Sequence, residues 1–331
     1  MKAIVYRKYG SPDVLRLENV DKPVPKDDEV LVRVQATSLN AYDWHLLRAK
    51  PFLVRLMGGG LFKPKNTIPG ADIAGRVEAI GRSVKQFKPG DEVFGDIAMS
   101  GSGGCAEYAS APESRLAPKP AKLSFEQAAA VPMAAVTALQ GLRDIGGIQP
   151  GQKVLIHGAA GGVGTFAVQL AKAFGAEVTA VCRTDKMDMV RSLGADQVID
   201  YTREDFTRSG RRYDLILGVN GYHPLSAYKR ALTPKGRYVM AGGSTAQIFQ
   251  AMLLGPWMSM FGKKKLGGVS AKPNQKDLQF IVELMEAGKV APVIDRRYPL
   301  NEVPDAIRYL EEGHARGKIV ILIAGSGGDS R

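Results

Sequence analysis

The sequence predicts an α/β protein with two domains, one rich in β-strands and one built on a doubly wound parallel sheet. Up to about residue 120, short runs of alternating apolar and polar residues, such as Glu29–Val34, lie between Gly and Pro turns. Beyond Val154, apolar strand-like runs alternate with helical stretches, a rhythm typical of parallel strands joined by right-handed crossovers. After Ala271 come two helical stretches and a strand at Lys318–Ile323, which we assign to the first domain.

The domain boundaries follow from a change of pattern at Ser124. The segment Ser124–Gln127 has the form of a helix capping box ahead of an alanine-rich run, inside which Pro132 predicts a break near Val131. We therefore expect residues 1–123 and 271–331 to form the β-rich domain, and residues 124–270 to form the parallel-sheet domain.

Composition sets the class of protein. The chain has 331 residues, 45% of them hydrophobic, which is enough to bury a core in each of two domains. The longest apolar stretch, Ala246–Phe261, is interrupted by polar residues, Gly and Pro, so no membrane span is expected. We expect this stretch to cover a substrate cleft or a dimer face. The segment Met1–Tyr9 alternates like a strand and lacks a signal peptide's apolar block, so we expect a cytoplasmic protein in which Cys105 and Cys182 stay reduced.

The charge balance is basic but dispersed. Lys and Arg number 45 against 33 Asp and Glu, a formal net charge of +12, which favours phosphate-bearing partners. Basic residues cluster only at Lys263–Lys265 and Arg211–Arg212. This pattern indicates a solvated surface, and no nucleic-acid partner is expected.

A glycine-rich loop follows the first strand of the predicted parallel sheet. The strand Lys153–His157 runs into Gly158–Gly164 and then into a helical stretch. Glycines allow a sharp turn and a close approach of the backbone to a pyrophosphate, while the start of the helix favours negative charge. The order of strand, loop and helix predicts a Rossmann dinucleotide site; the alternative is a tight turn without a ligand.

The end of the next strand indicates which dinucleotide binds. An NAD site needs Asp or Glu there for the ribose 2′-hydroxyl, whereas this chain offers Cys182, Arg183 and Thr184. Arg183 and Lys186 suit a 2′-phosphate, which predicts NADPH. Two alternatives stay open. Asp185 lies only two positions beyond Arg183 and could be the acidic residue that an NAD site needs. Both basic residues could also be surface charges at a helix start.

These features resemble the medium-chain dehydrogenase/reductase superfamily over nearly the whole chain, in particular its zinc-free branch of quinone oxidoreductases similar to zeta-crystallin. The segments that carry the resemblance are Ser38–Asn40 with Asp43, Pro69–Gly75, Pro89–Val93, Gly158–Gly164 and Arg316–Val320. The resemblance implies a GroES-like β-rich catalytic domain beside the Rossmann domain. Where many members have Asn-Pro before the Asp, this chain has Asn40–Asp43 with Ala and Tyr between, so the mouth of the site is expected to differ.

The resemblance also bears on metal binding. Zinc-containing relatives have a cysteine where this chain has Asn40 and a Gly-His-Glu where it has Gly70–Asp72, and they carry a four-cysteine lobe. A zinc site needs three or four Cys, His or carboxylate ligands in a defined geometry. Two cysteines and four scattered histidines do not supply such a set, so no metal is expected.

The resemblance implies roles for individual residues. It places Asn40, Asp43 and Thr137 at the catalytic site. Tyr42 and His45 follow Asn40 closely in the sequence and are candidate proton donors there, the alternatives being an ordered water as the donor and a packed or surface role for either residue. The residues expected to bind the cofactor are Gly158, Ala159, Gly161, Gly162, Val163, Gly164, Arg183, Lys186, Tyr201, Asn220, Ala241, Gly242, Gly243, Arg316 and Lys318. Asn40 and Thr137 are expected beside the nicotinamide, as positioning groups. The alternatives are that Thr137 is an ordinary helix residue, Tyr201 a strand-end aromatic, and Asp72 a partner for a nearby backbone N–H.

The predicted activity is NADPH-dependent, zinc-independent reduction of a quinone or an α,β-unsaturated carbonyl, because a conjugated acceptor delocalises incoming charge without a Lewis acid. The alternatives are an alcohol or carbonyl dehydrogenase of the same fold, and a non-catalytic NADPH-binding protein that acts as an NADPH sink or as a weak RNA binder. A homodimer is expected, since Lys265–Ser270 resembles the family's edge strand for pairing across a two-fold axis.

Overall fold

The computed structural model describes residues 1–50, 52, 55, 60–98, 100, 103–243, 250 and 263–323. The chain divides into two compact units. Unit 1 comprises Met1–Met133, Pro273–Phe280 and Ile294–Arg331, and unit 2 comprises Ala134–Lys272 and Ile281–Val293. The domain boundaries that the sequence predicts, at residues 123 and 270, remain a prediction. Apart from Gln250, the apolar stretch 246–261 lies outside the described residues, as does the glycine-rich tail 325–331.

The described residues form strands and helices in the following order. The strands are β1 (Lys2–Val5), β2 (Arg16–Asn19), β3 (Glu29–Leu39), β4 (Asp72–Ile80), β5 (Glu92–Asp96), β6 (Tyr108–Pro112), β7 (Leu116–Pro118), β8 (Lys153–His157), β9 (Glu177–Cys182), β10 (Gln197–Asp200), β11 (Tyr213–Gly218), β12 (Leu232–Met240), β13 (Lys265–Gly268), β14 (Ile294–Pro299) and β15 (Lys318–Leu322). The α-helices are α1 (Ala41–Arg48), α2 (Phe125–Ala129), α3 (Pro132–Gln140), α4 (Gly162–Ala173), α5 (Met187–Ser192), α6 (Leu225–Ala231), α7 (Gln275–Glu286) and α8 (Val303–Glu311).

Unit 1 is built on a seven-stranded sheet in the order β14-β15-β3-β4-β5-β7, with β6 also paired to β3. All of its pairs are antiparallel except β14 with β15. Strand β3 is buried along most of its length, and Val30, Val32 and Val34 belong to the apolar core of the unit. The strand that returns from the C-terminal segment, β15, pairs with β3 and completes the GroES-like sheet. The sequence assigned this strand to the first domain, and that domain assignment stays a prediction.

Unit 2 is built on a six-stranded sheet in the order β10-β9-β8-β11-β12-β13. Every pair in it is parallel, as the alternation of strands and helices predicts. The chain leaves β8 towards β9 on one side and later returns to β11 on the other side. The order therefore reverses at β8, and in such sheets ligands bind at the carboxyl ends of the strands beside this point.

The break predicted at the start of the alanine-rich run is present. Ser124 caps α2 by accepting a hydrogen bond from the Gln127 N–H at 3.2 Å, and the Gln127 side chain accepts one from the Ser124 N–H at 3.0 Å. Helix α2 ends at Ala129 and α3 begins at Pro132, since a proline ring is tolerated only in the first turn of a helix. Among the described residues, no helix has the length and apolar character required to cross a membrane.

Two buried carboxylates lie next to each other on neighbouring strands of the sheet of unit 1. Asp72 is fully buried and Asp96 is 4% exposed. They are directly opposite on β4 and β5, and opposite residues of an antiparallel pair lie on the same face of the sheet. Burial, and then the negative charge of Asp72, raises the pKa of Asp96 to about 7. The folded protein therefore binds a proton at Asp96 more tightly than the unfolded chain does.

We expect Asp96→Asn to remove part of the pH dependence of stability. Because the pKa of Asp96 is higher in the folded protein, its protonated form favours folding below about pH 4, and this contribution is lost as the pH rises through about 7. Asparagine keeps an oxygen that can accept the Ala98 N–H, which Asp96 binds at 2.8 Å. Melting temperatures measured across this range should fall with rising pH more steeply for the parent than for the variant.

The control for this measurement is Asp188→Asn, at a carboxylate that is 98% exposed and should leave the pH slope unchanged. Parallel curves for the parent and Asp96→Asn would contradict the prediction, because they would mean that Asp96 binds its proton equally in both states.

Candidate functional site

The glycine-rich loop lies at the carboxyl end of β8. Gly158 has a φ of +88°, in the left-handed region that favours glycine. A Cβ at Gly164 would lie 2.2 Å from the Gly158 carbonyl oxygen, so α4 packs against the loop at a distance that only glycine permits. A Cβ at Gly161 would contact only that same oxygen, at 3.9 Å, so open space lies above this residue.

The open space beside Gly161 bears on whether the loop can bind the pyrophosphate of a dinucleotide. Gly161 is the N-cap of α4 and has no side chain that could accept a hydrogen bond, so no side chain at this position caps the first N–H groups of the helix. Backbone N–H groups and the positive end of a helix are what a pyrophosphate requires. The loop therefore fits the group predicted for it, and Ala159, Gly162 and Val163 lie in the same segment as the three glycines.

Two other loops of unit 2 lie at the same edge of the sheet. A Cβ at Gly158 would lie 2.6 Å from the backbone N of Asn220, which follows β11. The Ala241 N–H, after β12, donates to the Gly218 carbonyl at 2.8 Å, and a Cβ at Gly242 would lie 2.5 Å from the Val219 carbonyl oxygen. The structure thus brings together Gly158–Gly164, Asn220 and Ala241–Gly243 at the carboxyl ends of β8, β11 and β12.

The predicted 2′-phosphate residues lie at the end of β9. The Arg183 guanidinium donates to both Asp185 carboxylate oxygens, at 2.7 and 2.9 Å. Lys186 is buried, and Tyr201 is 55% exposed while its N–H donates to the Cys182 carbonyl at 3.2 Å. The neighbourhood predicted from sequence is therefore assembled, with Asp185 already engaging the arginine.

Sequence reasoning missed a carboxylate in this neighbourhood. Asp200 ends β10, is 7% exposed, and accepts hydrogen bonds from the Thr184 hydroxyl and from both the N–H and hydroxyl of Thr202. Its position at the end of a predicted strand was a signal that could have found it. These hydrogen bonds hold the pKa of Asp200 below its ordinary value, the Thr184 bond being the largest cause, so it contributes negative charge beside the end of β9.

A polar cluster lies at one end of the sheet of unit 1, and we call Ser38, Asn40, Asp72 and Lys318 the Asp72 cluster. One carboxylate oxygen of Asp72, Oδ2, accepts hydrogen bonds from the Ser38 hydroxyl at 2.8 Å, the Asn40 Nδ2 at 2.9 Å and the Lys318 Nζ at 3.3 Å. The other, Oδ1, accepts the Met133 N–H at 2.8 Å. All four side chains of the cluster are buried, so their polar atoms satisfy one another in place of water.

The structure places Arg316 and Lys318 in unit 1. The Arg316 N–H donates to the Asp295 carboxylate at 2.9 Å. The Lys318 ammonium donates to the Asn40 Oδ1 at 2.5 Å, a contact between residues that are far apart in the sequence. Sequence reasoning treated Lys318 as a residue for the cofactor and did not find its contact with Asn40, because nothing local signals a pairing across 278 positions.

Asp43 supports the backbone on which Asn40 lies. Its carboxylate accepts the Asn40 N–H at 2.7 Å and the Gly70 N–H at 2.8 Å. Burial raises the pKa of Asp43 to about 6, against the opposing effect of these two hydrogen bonds. The carboxylate thereby fixes the start of α1 and the segment before β4 in one arrangement.

The other predicted catalytic residues differ in their surroundings. Tyr42 and Asp43 line a cavity of about 20 Å³ in unit 1, which has room for about one water molecule. The His45 ring stacks on Trp44 at 3.7 Å between centroids, and its Nδ1 donates to the Lys50 carbonyl at 2.6 Å. Burial lowers the pKa of His45. Thr137 lies in α3 of unit 2 and is 9% exposed.

The described part of the chain contains no group of three or more His, Cys, Asp or Glu side chains arranged to hold a metal ion. Cys105 and Cys182 are both buried free thiols. Burial raises the pKa of each.

Comparison with protein families gives two matches. Residues 26–121 match the alcohol dehydrogenase GroES-like domain, and residues 193–321 match a family described as zinc-binding dehydrogenase. The chain is 36% identical to the chloroplast envelope quinone oxidoreductase homolog of Arabidopsis thaliana, over 97% of this chain and 98% of that protein. It is 37% identical to the chloroplastic NADPH-dependent alkenal/one oxidoreductase of the same plant, over 97% of this chain and 79% of that protein.

The fold is also that of solved relatives. The structure of the quinone oxidoreductase from Coxiella burnetii superposes with a TM-score of 0.87 at 31% identity, covering 97% of this chain and 99% of that chain. The family models, the identity over nearly the whole chain and the shared fold agree with the glycine loop and the GroES-like sheet described above. The chain is an oxidoreductase of the nicotinamide-dependent type and belongs to the quinone-oxidoreductase family of medium-chain dehydrogenases/reductases.

Proposed function

We propose that this protein reduces a quinone or an α,β-unsaturated carbonyl with NADPH, and that it does so without a metal ion. The observation that carries the proposal is the Asp72 cluster. At this end of the sheet, the described side chains offer an amide, an ammonium and a carboxylate that bind one another. Relatives named for quinone and for alkenal/one substrates support this acceptor class.

The cofactor would be held by unit 2. The loop Gly158–Gly164 and the start of α4 would bind the pyrophosphate, and Arg183 with Lys186 would bind the 2′-phosphate. When bound, NADPH supplies the hydride for the reduction. The Arabidopsis alkenal/one oxidoreductase is named as NADPH-dependent, which supports the same preference here.

The acceptor would be oriented by Asn40. A reduced quinone or enone carries new negative charge on its oxygen, and a hydrogen-bond donor placed there stabilises the transition state. Asn40 can donate but does not titrate near neutral pH, so we assign it and Thr137 to positioning. His45 donates its Nδ1 proton to a carbonyl, and its pKa is lowered by burial, which makes it a poor proton donor in this state.

The direct test is a panel of quinones, enones and alkenals assayed with NADPH and NADH, in the presence and absence of a metal chelator. The proposal expects turnover of conjugated acceptors that the chelator does not change. Turnover confined to simple alcohols or aldehydes, or activity that disappears with the chelator and returns with zinc, would refute it.

We expect Arg183→Ala to weaken the binding of NADPH selectively. A charge-assisted hydrogen bond contributes about 1.5–3 kcal/mol, so losing it should raise the dissociation constant for NADPH roughly ten- to a hundredfold. NADH has no 2′-phosphate and should bind nearly as before. Fluorescence titration of both coenzymes gives the two constants directly.

A matched variant sharpens this measurement. Asp185→Asn removes the carboxylate that now pairs with Arg183, so NADPH should bind as tightly as to the parent or more tightly. Equal losses for NADH and NADPH in Arg183→Ala would indicate a structural role for the arginine.

We expect Asn40→Ala to lower kcat for a good acceptor at least about tenfold, since removing one such donor typically costs 10²–10³ in rate. The affinity for NADPH should stay within a few-fold of the parent. Tyr42→Phe and His45→Gln serve as controls and should change kcat little. Full activity of Asn40→Ala on every quinone and enone that the parent accepts would show that the acceptor does not bind at Asn40.

We further propose that the protein is a homodimer and that it works in the cytoplasm. Strand β13 is the last strand in the order of the six-stranded sheet, and an edge strand is a template for pairing with a second chain. We expect light scattering at micromolar concentration to give about twice the monomer mass of 35.6 kDa. A mass equal to that of the monomer would refute the dimer.

A further inference from the structure

We infer that Lys318 is a positioning residue for the reduction: it fixes the orientation of the Asn40 carboxamide and strengthens it as a hydrogen-bond donor. The inference rests on the proposed function, in which Asn40 meets the acceptor oxygen. Lys318 is 2% exposed and lies at the first position of β15. Because Ile319 is paired with Leu39, the register of β15 on β3 brings Lys318 beside Asn40.

The partners of Asn40 determine which way its amide points. A lysine ammonium can only donate hydrogen bonds, so the atom of Asn40 that faces it at 2.5 Å must be the oxygen Oδ1. An ionised carboxylate can only accept, so the atom that faces Asp72 at 2.9 Å must be Nδ2. The opposite orientation would set donor against donor and acceptor against acceptor.

This orientation leaves a defined donor. The Nδ2 group carries two N–H hydrogens, and in the described structure it donates to the Asp72 Oδ2 alone. The second hydrogen is the one we assign to the acceptor oxygen, at a residue that is 9% exposed. Without Lys318, the Oδ1 atom would lose its charged donor and keep only the Asp43 N–H of the capping box, so the amide would be held less firmly and could turn over to present oxygen to the acceptor.

Lys318 donates to the amide oxygen of Asn40 as well as to the carboxylate of Asp72. Its Nζ lies 2.5 Å from Asn40 Oδ1 but 3.3 Å from Asp72 Oδ2. Asp72 also accepts hydrogen bonds from Ser38 and from the Met133 N–H, both at 2.8 Å. The shorter contact of the ammonium is therefore with the amide oxygen.

The ammonium also acts on the amide electronically. A cation hydrogen-bonded to an amide oxygen polarises the group and makes its N–H a stronger donor, an effect that is larger in a buried, low-dielectric site. All three partners are buried here, so solvent screens the effect little. An acceptor oxygen that gains negative charge benefits more from this donor than a neutral substrate does.

A double-mutant cycle tests the inference. The variants are Asn40→Ala, Lys318→Met and the two combined, and the measurements are kcat, KM for the acceptor and the dissociation constant of NADPH. Lys318→Met should lower kcat at least about tenfold, with KM and the NADPH constant within a few-fold of the parent. In the Asn40→Ala background, Lys318→Met should lower kcat by no more than about twofold, because the group it positions is absent.

Lys119 offers a matched control in the same unit. Its side chain is 4% exposed, pairs with Glu92 at 2.9 Å, and donates to the Leu123 carbonyl at 2.6 Å, outside the Asp72 cluster. Lys119→Met should lower thermal stability and leave kcat near that of the parent. Its effects should be the same with and without Asn40, as expected for independent sites.

The outcomes separate the two proposals. If Asn40→Ala keeps full activity, the proposed function of this site fails. If Asn40→Ala lowers kcat but Lys318→Met does not, or if the two losses multiply in the combined variant, the role of Lys318 is overturned and the function stands. If Lys318→Met does not fold, the charge-balanced variant Asp72→Asn with Lys318→Met replaces it, and normal kcat in that protein overturns the inference.

Discussion

The fully buried carboxylate of Asp72 is the constraint around which one end of the sheet of unit 1 is arranged. A buried charge is tolerated only when it is paired and hydrogen-bonded. Asp72 receives donors from β3 (Ser38), from the segment after β3 (Asn40), from β15 (Lys318) and from the start of α3 (Met133). Of these partners, the Lys318 ammonium supplies the counter-charge, and its loss would leave the three neutral donors to hold a buried carboxylate.

The same carboxylate makes its surroundings sensitive to proton binding. Asp96 is directly opposite Asp72 across β4 and β5, and both burial and the charge of Asp72 raise its pKa. Asp43 also lies nearby; burial is the main cause of its raised pKa, and the charge of Asp72 adds to it. The negative charge of Asp72 therefore makes both neighbouring carboxyl groups, Asp43 and Asp96, bind a proton more readily than they otherwise would.

Local features of the sequence predicted most of the fold. The glycine loop after β8, the capping box at Ser124 and the break at Pro132 all depend on residues within a few positions of one another, and the structure has each of them. The parallel order of β8 to β13 followed from the alternation of strands and helices. The sequence shows that Arg183 and Asp185 are two positions apart. Whether their side chains form an ion pair depends on their rotamers, which this spacing does not determine.

The candidate site was harder to predict because its central contact is not local. Asn40 and Asp72 lie in motifs that the sequence analysis identified, and a backbone N–H partner for Asp72 was one of its alternatives; in the structure Asp72 accepts the Met133 N–H. The contact of Lys318 with Asn40 depends on the register of β15 against β3, which no pattern within either strand determines. A buried ion pair contributes little net stability compared with apolar residues of the same volume. Stability alone therefore does not account for a lysine at this position, whereas a fixed amide orientation requires a donor on one side of Asn40 and an acceptor on the other.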